Sequence, residues 1–204
     1  MDHHFQGFIP GPNETEQEFT SRMEYCLSLR HNLPQAAIIR LEDQQSCLEE
    51  ASAITLPLYG LNPTWVPVLF ANHKLAPWHG GCAWIFQMDD EQPLGAFLQL
   101  RKPFLSAQNY LGLYDRDELV AHELCHVARM AFEEPIYEEH LAYRSSKPKW
   151  RRRLGPIIRN SIESMLFFLS LLFVFAGYLF ALFIDPSAWS YVPYFYLLPA
   201  LLAC

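Results

Sequence analysis

The chain lacks any paired-cysteine pattern. Its five cysteines, Cys26, Cys47, Cys82, Cys125 and Cys204, are scattered, with no CxxC and no regular framework. A disulfide scaffold is therefore excluded and reduced thiols are expected. Basic charge is scarce where a nucleic-acid binder would need it: residues 1 to 146 carry 20 acidic against 9 basic side chains. No basic face is available there to neutralise phosphates, so nucleic acid is excluded as a partner. The opening residues MDHHFQGFIPGPNETEQ lack the basic start and apolar run of a secretory signal. The front part is accordingly expected to stay on the side of the membrane where it is made. Internal repeats and low-complexity tracts are also missing, which removes solenoids and linker-rich architectures.

What the sequence does have is unevenly distributed. Its 204 residues suffice for one medium domain with a real core plus something small. The apolar excess piles up late: MLFFLSLLFVFAGYLFALFI, residues 165–184, runs twenty residues without a charge. A helix of that length rises roughly 30 Å, the thickness of a bilayer's hydrocarbon core, so a transmembrane helix is expected there. Just before it, KPKWRRRLGPIIR supplies Lys147, Lys149, Arg151, Arg152, Arg153 and Arg159, with Trp150 as an interfacial aromatic. Basic residues flanking a span stay cytoplasmic, which puts the front domain in the cytoplasm. After a turn at Asp185-Pro186-Ser187, the aromatic stretch 188–204 reads either as a second, kinked crossing or as an interfacial segment. The chain thus divides into a front domain 1–146, a basic juxtamembrane linker 147–160 and a membrane segment 161–204.

Within the front domain, Asn13 with Glu16 three residues on predicts a helix start, and Phe19, Met23, Cys26 and Leu27 recur on one helical face. A second helix is expected around 36–53, although AAIIRL also suits a strand. From Leu61 to Leu105 the texture changes to Pro, Gly and alternating apolar residues, in WVPVLF, CAWIFQM and GAFLQLR. That predicts a small sheet with tight turns, and an α+β domain as a whole.

The chemistry concentrates in DRDELVAHELCHVARMAFEEPIYEEHLAY, residues 115–143. Asp115 fits an N-cap with Glu118 at the third helical position, and no Gly or Pro interrupts the run to Phe132, so HELCH lies on a helix. Residues four apart leave a helix from the same face. His122 and His126 can therefore bind one small cation, with Glu123 beside a water that the ion acidifies. A third ligand must come from a separate element. EEPIYEEHLAY supplies Pro135 at a helix start, then Glu138 and Glu139, then Ala142 and Tyr143.

HExxH followed by a helix carrying ExxA resembles the gluzincin zinc metallopeptidases over about these thirty residues. The resemblance implies a small zincin-like fold, a Zn²⁺ cofactor and a peptide or protein substrate. It implies His122 and His126 as ligands, Glu123 as general base and Glu139 as third ligand, with Glu138 as the fallback. Many gluzincins carry an aspartate four residues after the ligand glutamate to orient a ligand histidine; here Tyr143 stands in that place. Tyr143 and His140 are candidates for stabilising an oxyanion, against ordinary roles as a packed tyrosine and a surface histidine. Substrates in this family pair with a sheet edge above the metal, which makes Leu94–Leu100 a candidate edge strand for substrate, its alternative being a core strand. Arg129 is expected to pair with a second-helix glutamate.

Two rival readings remain open. Deformylase-like amide hydrolases take their third ligand from an upstream cysteine, and GGCAW offers Cys82. A non-catalytic zinc-binding membrane scaffold would keep the site without the reaction. An intramembrane protease is excluded, because Asp115, Arg116, Asp117, Glu118 and Arg129 flank HELCH.

Overall fold

The computed structural model describes residues 6–32, 41–89, 91–132, 134–157 and 161–195. The chain separates into two compact units, Met1–Arg152 and Arg153–Cys204. The first extends past the expected boundary at 146, because Glu118 accepts from the Lys147 amide at 2.9 Å and lies 3.4 Å from the Arg151 guanidinium.

The front unit is α+β. Helix α1 (Glu16–Asn32) starts two residues later than Asn13 predicts. Thr15 and Glu18 form the reciprocal cap, the Thr15 amide donating to the Glu18 carboxylate at 2.8 Å and the Glu18 amide to the Thr15 hydroxyl at 3.3 Å. Both spacings fit a capping box, and this choice frees Glu14 for a buried pair with Arg22 at 2.6 Å. Burial pushes the Glu14 carboxyl up, but the Arg22 guanidinium and the Gly11 amide hold it below its ordinary value. The predicted apolar face holds at Cys26, Phe19 and Met23, whereas Leu27 faces solvent and Leu29 is buried instead.

Helix α2 spans Leu41–Tyr59, and most of AAIIRL falls outside the described residues. Strands β1 (Val68–Phe70), β2 (Gly81–Phe86) and β3 (Gly95–Leu100) form one sheet in the order β1-β3-β2. Strand β3 pairs parallel with β1 and antiparallel with β2, so it is the central strand and not the edge expected for Leu94–Leu100. Its near-continuous apolar run fits this place: Ala96, Leu98 and Leu100 are fully buried. The free edge near the site belongs to β2.

A hairpin of β4 (Asn109–Tyr110) and β5 (Tyr114–Asp115) leads into helix α3 (Arg116–Ala128), followed by α4 (Pro135–Ala142) and α5 (Lys149–Leu154). The core forms where α3 buries Val120, Ala121, Leu124 and Val127 with the sheet residues Val68 and Leu98, the preceding loop residue Val66 and the α2 residues Leu48 and Ala51. The described cysteines Cys26, Cys47, Cys82 and Cys125 are free, as expected of reduced thiols.

The second unit contains α6 (Ser161–Phe183) and, after a 3-10 turn at Pro186–Ser190, the short α7 (Val192–Phe195). Met165–Phe183 has a mean hydropathy of 2.5 with only 17% of its most apolar stretch buried, and it is long and apolar enough to cross a membrane. The turn forms at Asp185-Pro186-Ser187, where the Asp185 carboxylate accepts from the Ser187 amide at 2.9 Å. Trp189 then packs edge-on against Tyr178 of α6, ring centroids 5.1 Å apart. The rest of 188–204, beyond Phe195, lies outside the described residues.

Candidate metal centre

Helix α3 is fixed before its chemistry is considered. The Asp115 carboxylate accepts from the Glu118 amide at 3.2 Å, capping the first turn as predicted. The helix ends at Ala128, short of Phe132, and Arg129 pairs with Glu134 at 3.3 Å, just before α4 rather than within it. With its apolar face locked into the core, α3 presents His122 and His126 on a flank that α4 covers.

Helix α4 begins at Pro135, whose missing amide hydrogen costs nothing at a helix start. Its far end is held by the Tyr59 hydroxyl of α2, which donates to the Leu141 carbonyl, and by the Ser145 hydroxyl, which donates to the Ala142 carbonyl at 2.7 Å. Ala142 is fully buried, so the alanine of ExxA occupies a place where a larger side chain would push the two helices apart.

This packing brings His122, His126 and Glu139 together: one donor atom from each lies within 4.8 Å of the others, and the group could hold a metal ion. The two Nε2 atoms are 3.3 Å apart. Glu139 places Oε2 3.6 Å from His122 Nε2 and Oε1 3.5 Å from His126 Nε2. Two ring nitrogens and a carboxylate thus lie close enough together to share one small cation. Burial, aided by the Glu123 and Glu138 charges and opposed by His126, raises the Glu139 carboxyl to about 7. Burial, then the neighbouring His126 and Arg151, hold His122 well below its ordinary value, which keeps that ring neutral and able to ligate. Burial also lowers His126, but Glu138, Glu123 and Glu139 more than reverse it.

Glu138 does not share the ligand position. Its Oε2 lies 3.6 Å from His126 Nδ1, the ring nitrogen turned away from the cluster, where a carboxylate fixes the tautomer. His122 is steadied differently: its ring hydrogen-bonds to the Ala142 backbone, and the Tyr143 ring packs against it at 4.6 Å and 70°. Both contacts hold the His122 ring in its orientation. Burial pushes the Tyr143 phenol up to about 12. His140 is exposed on α4 and does not join the group.

Glu123 is buried, and its Oε2 accepts from the Ala83 amide of β2 at 2.8 Å. Burial raises its carboxyl, against the His126 charge and that amide. Since Gln99 pairs with Cys82 and Leu98 with Ala83, the outward backbone groups of β2 are those of Gly81, Ala83 and Ile85. Cys82 alternates onto the sheet face opposite Ala83, its thiol pushed up to about 12 by burial and the Glu123 charge, and it is not part of the ligand group.

Sequence reasoning missed two participants. Ala83 carries no chemistry in its side chain, so only the alternation of CAWIF hinted at an edge strand here. Arg151 was hidden in a run that reads as membrane flank, yet it pairs with Glu118 on α3 and lies 5.3 Å from the Tyr114 ring centroid.

The fold and site together define an α+β domain carrying a His122–His126–Glu139 group suited to a metal ion. No family model, curated protein or solved structure matches the chain.

Proposed function

We propose that the protein is a membrane-anchored zinc metallopeptidase with a zincin-like catalytic domain facing the cytoplasm. The observation that carries this reading is the spacing of the donor atoms. Ligands at 2.0–2.2 Å from a tetrahedral ion lie about 3.3–3.6 Å apart; the two Nε2 atoms are 3.3 Å apart, and Glu139 reaches His126 Nε2 through Oε1 at 3.5 Å and His122 Nε2 through Oε2 at 3.6 Å. Two imidazoles and one carboxylate leave the fourth position open, the pattern of a catalytic rather than a structural zinc. When bound, zinc supplies Lewis acidity and lowers the pKa of water to about 7.

The chain's own residues do the rest. Glu123 is anchored through Oε2 by the Ala83 amide, leaving Oε1 to take a proton from water as that water's oxygen attacks the peptide carbonyl carbon. The same carboxyl then returns the proton to the amine nitrogen as the C–N bond breaks. Its raised pKa makes it a stronger base than an exposed glutamate. The Tyr143 hydroxyl, kept protonated by burial, can donate to the carbonyl oxygen as it gains negative charge. An extended polypeptide would pair with the outward groups of Gly81 and Ile85 and the Ala83 carbonyl on β2, the Ala83 amide being held by Glu123.

Full-length protein purified in detergent is expected to hold about one zinc per chain, with His126→Ala losing it and Cys82→Ser retaining it. Zinc retained in His126→Ala contradicts the assignment. Zinc lost in Cys82→Ser but kept in Glu139→Ala would replace it with the deformylase-like alternative. A reporter fused at residue 1 should read cytoplasmic, because six basic residues precede Met165.

A further inference from the structure

The β4–β5 hairpin ends in an apolar tip that the metal site does not use. Tyr110 pairs with Tyr114, and the loop between them is Leu111-Gly112-Leu113. Leu111 and Gly112 both adopt positive φ, 56° and 66°, and a Cβ added at Gly112 would meet nothing within 4 Å beyond its chain neighbours, so that side of the tip is open. Both leucines are presented to solvent, Leu111 at 58% and Leu113 at 55% exposure. A left-handed leucine is sterically costly, and a short hairpin needs none: Asn or Gly fits such a turn at lower energy.

The tip has a neighbour of matching character. The Arg151 guanidinium donates to the Leu113 carbonyl and lies 5.8 Å from the ring centroid of Trp150, itself 58% exposed. Arg151 thus ties the hairpin to the start of α5, whose outer residues Lys149 and Arg152 are exposed cations. Two leucines, a tryptophan and flanking basic residues make the composition of a membrane-interface anchor.

We propose that this patch seats the front unit on an anionic lipid surface, with Leu111, Leu113 and Trp150 among the headgroups and Lys149 and Arg152 on the phosphates. The inference rests on α6 being embedded in a bilayer, which holds the patch near lipid at high effective concentration. Charge complementarity selects lipid as the occupant. Residues 1 to 146 are strongly acidic and repelled by an anionic surface, while the basic run lies at this end alone, so the field itself orients the domain. Because β5 runs directly into α3, seating the hairpin brings the start of the HELCH helix to the headgroup layer. The substrates then favoured are polypeptide segments at the membrane surface.

The test uses the full chain in vesicles of phosphatidylcholine with or without phosphatidylglycerol, carrying a benzophenone amino acid at position 111, 113 or 88. Met88, 71% exposed on another turn, is the control. Irradiation is expected to give lipid adducts at 111 and 113 several-fold above those at 88. Yields should rise with phosphatidylglycerol and fall on Lys149→Glu with Arg152→Glu. Adducts at 111 and 113 no higher than at 88, in protein that resists alkaline carbonate extraction, overturn the seating while leaving the anchor intact. Extraction by carbonate overturns the anchor and the seating together. In cells, crosslinking of 111 and 113 to a protein rather than to lipid also overturns the proposal.

Discussion

The two units bury opposite things. In the front unit large apolar side chains disappear into a core, and among the described residues buried charged groups go inward with partners, as with Arg22 on Glu14 and Glu118 on Arg151. In the second unit α6 turns large side chains outward, Phe168 at 63% and Leu172 at 61% exposure, while the small or polar Ala181 and Ser170 are buried. The same amino acids thus stand in contrary settings, and exposure rather than hydrophobicity separates a core helix from one long and apolar enough to cross a membrane.

Substitutions at matched positions break this comparison most sharply. His126→Ala or Glu139→Gln should weaken zinc binding by at least about 100-fold, beyond what loss of an outer partner costs, read by competition with a chromogenic chelator. Leu98→Ala, at a fully buried site of β3, should destabilise the front unit by about 2–5 kcal/mol in urea denaturation. Leu172→Arg should instead leave that unit's denaturation unchanged and penalise membrane insertion by about 2.5–3.5 kcal/mol, read by a glycosylation-based insertion assay. If Leu172→Arg disrupts the front unit as Leu98→Ala does, α6 is a core helix and the contrast fails. Glu138→Gln, behind His126, should cost about 10–100-fold in zinc affinity without removing a ligand.

The smallest effect is one of pH. Glu139 titrates near 7 because burial favours its neutral form, and it must lose its proton to ligate. Zinc affinity should therefore climb as pH rises through about 7, Glu139 and the His126 ring both having to lose a proton before they ligate. Glu139→Gln should lose that part of the slope. A wild-type affinity independent of pH below 7 would contradict the burial of Glu139.

What was legible in the sequence follows the range of the interactions. HELCH, its Asp115 cap and the alternation of the strands depend on neighbours along the chain, and the helix and sheet formed where expected. The apolar run at 165–184 was legible for the same reason. The strand order was not: β3 lies between β1 and β2 because its residues are buried on both sides, and pairing partners tens of residues away leave no local trace. The choice between Glu138 and Glu139 was likewise open in sequence. It turns on the rotation of α4 against α3, which Tyr59 on a distant helix helps to set. The N-terminal cap failed at Asn13 because two overlapping boxes fit, and only the buried Arg22 decides between them.

The central claim is that the cluster is a catalytic zinc centre with Glu123 as its base. The most direct measurement pairs zinc stoichiometry with peptide turnover in full-length wild type and Glu123→Gln. The account predicts near-normal zinc in the variant with turnover reduced by at least about 10²-fold, the contribution of general-base catalysis. Full activity of Glu123→Gln on a peptide that the wild type cleaves would contradict it.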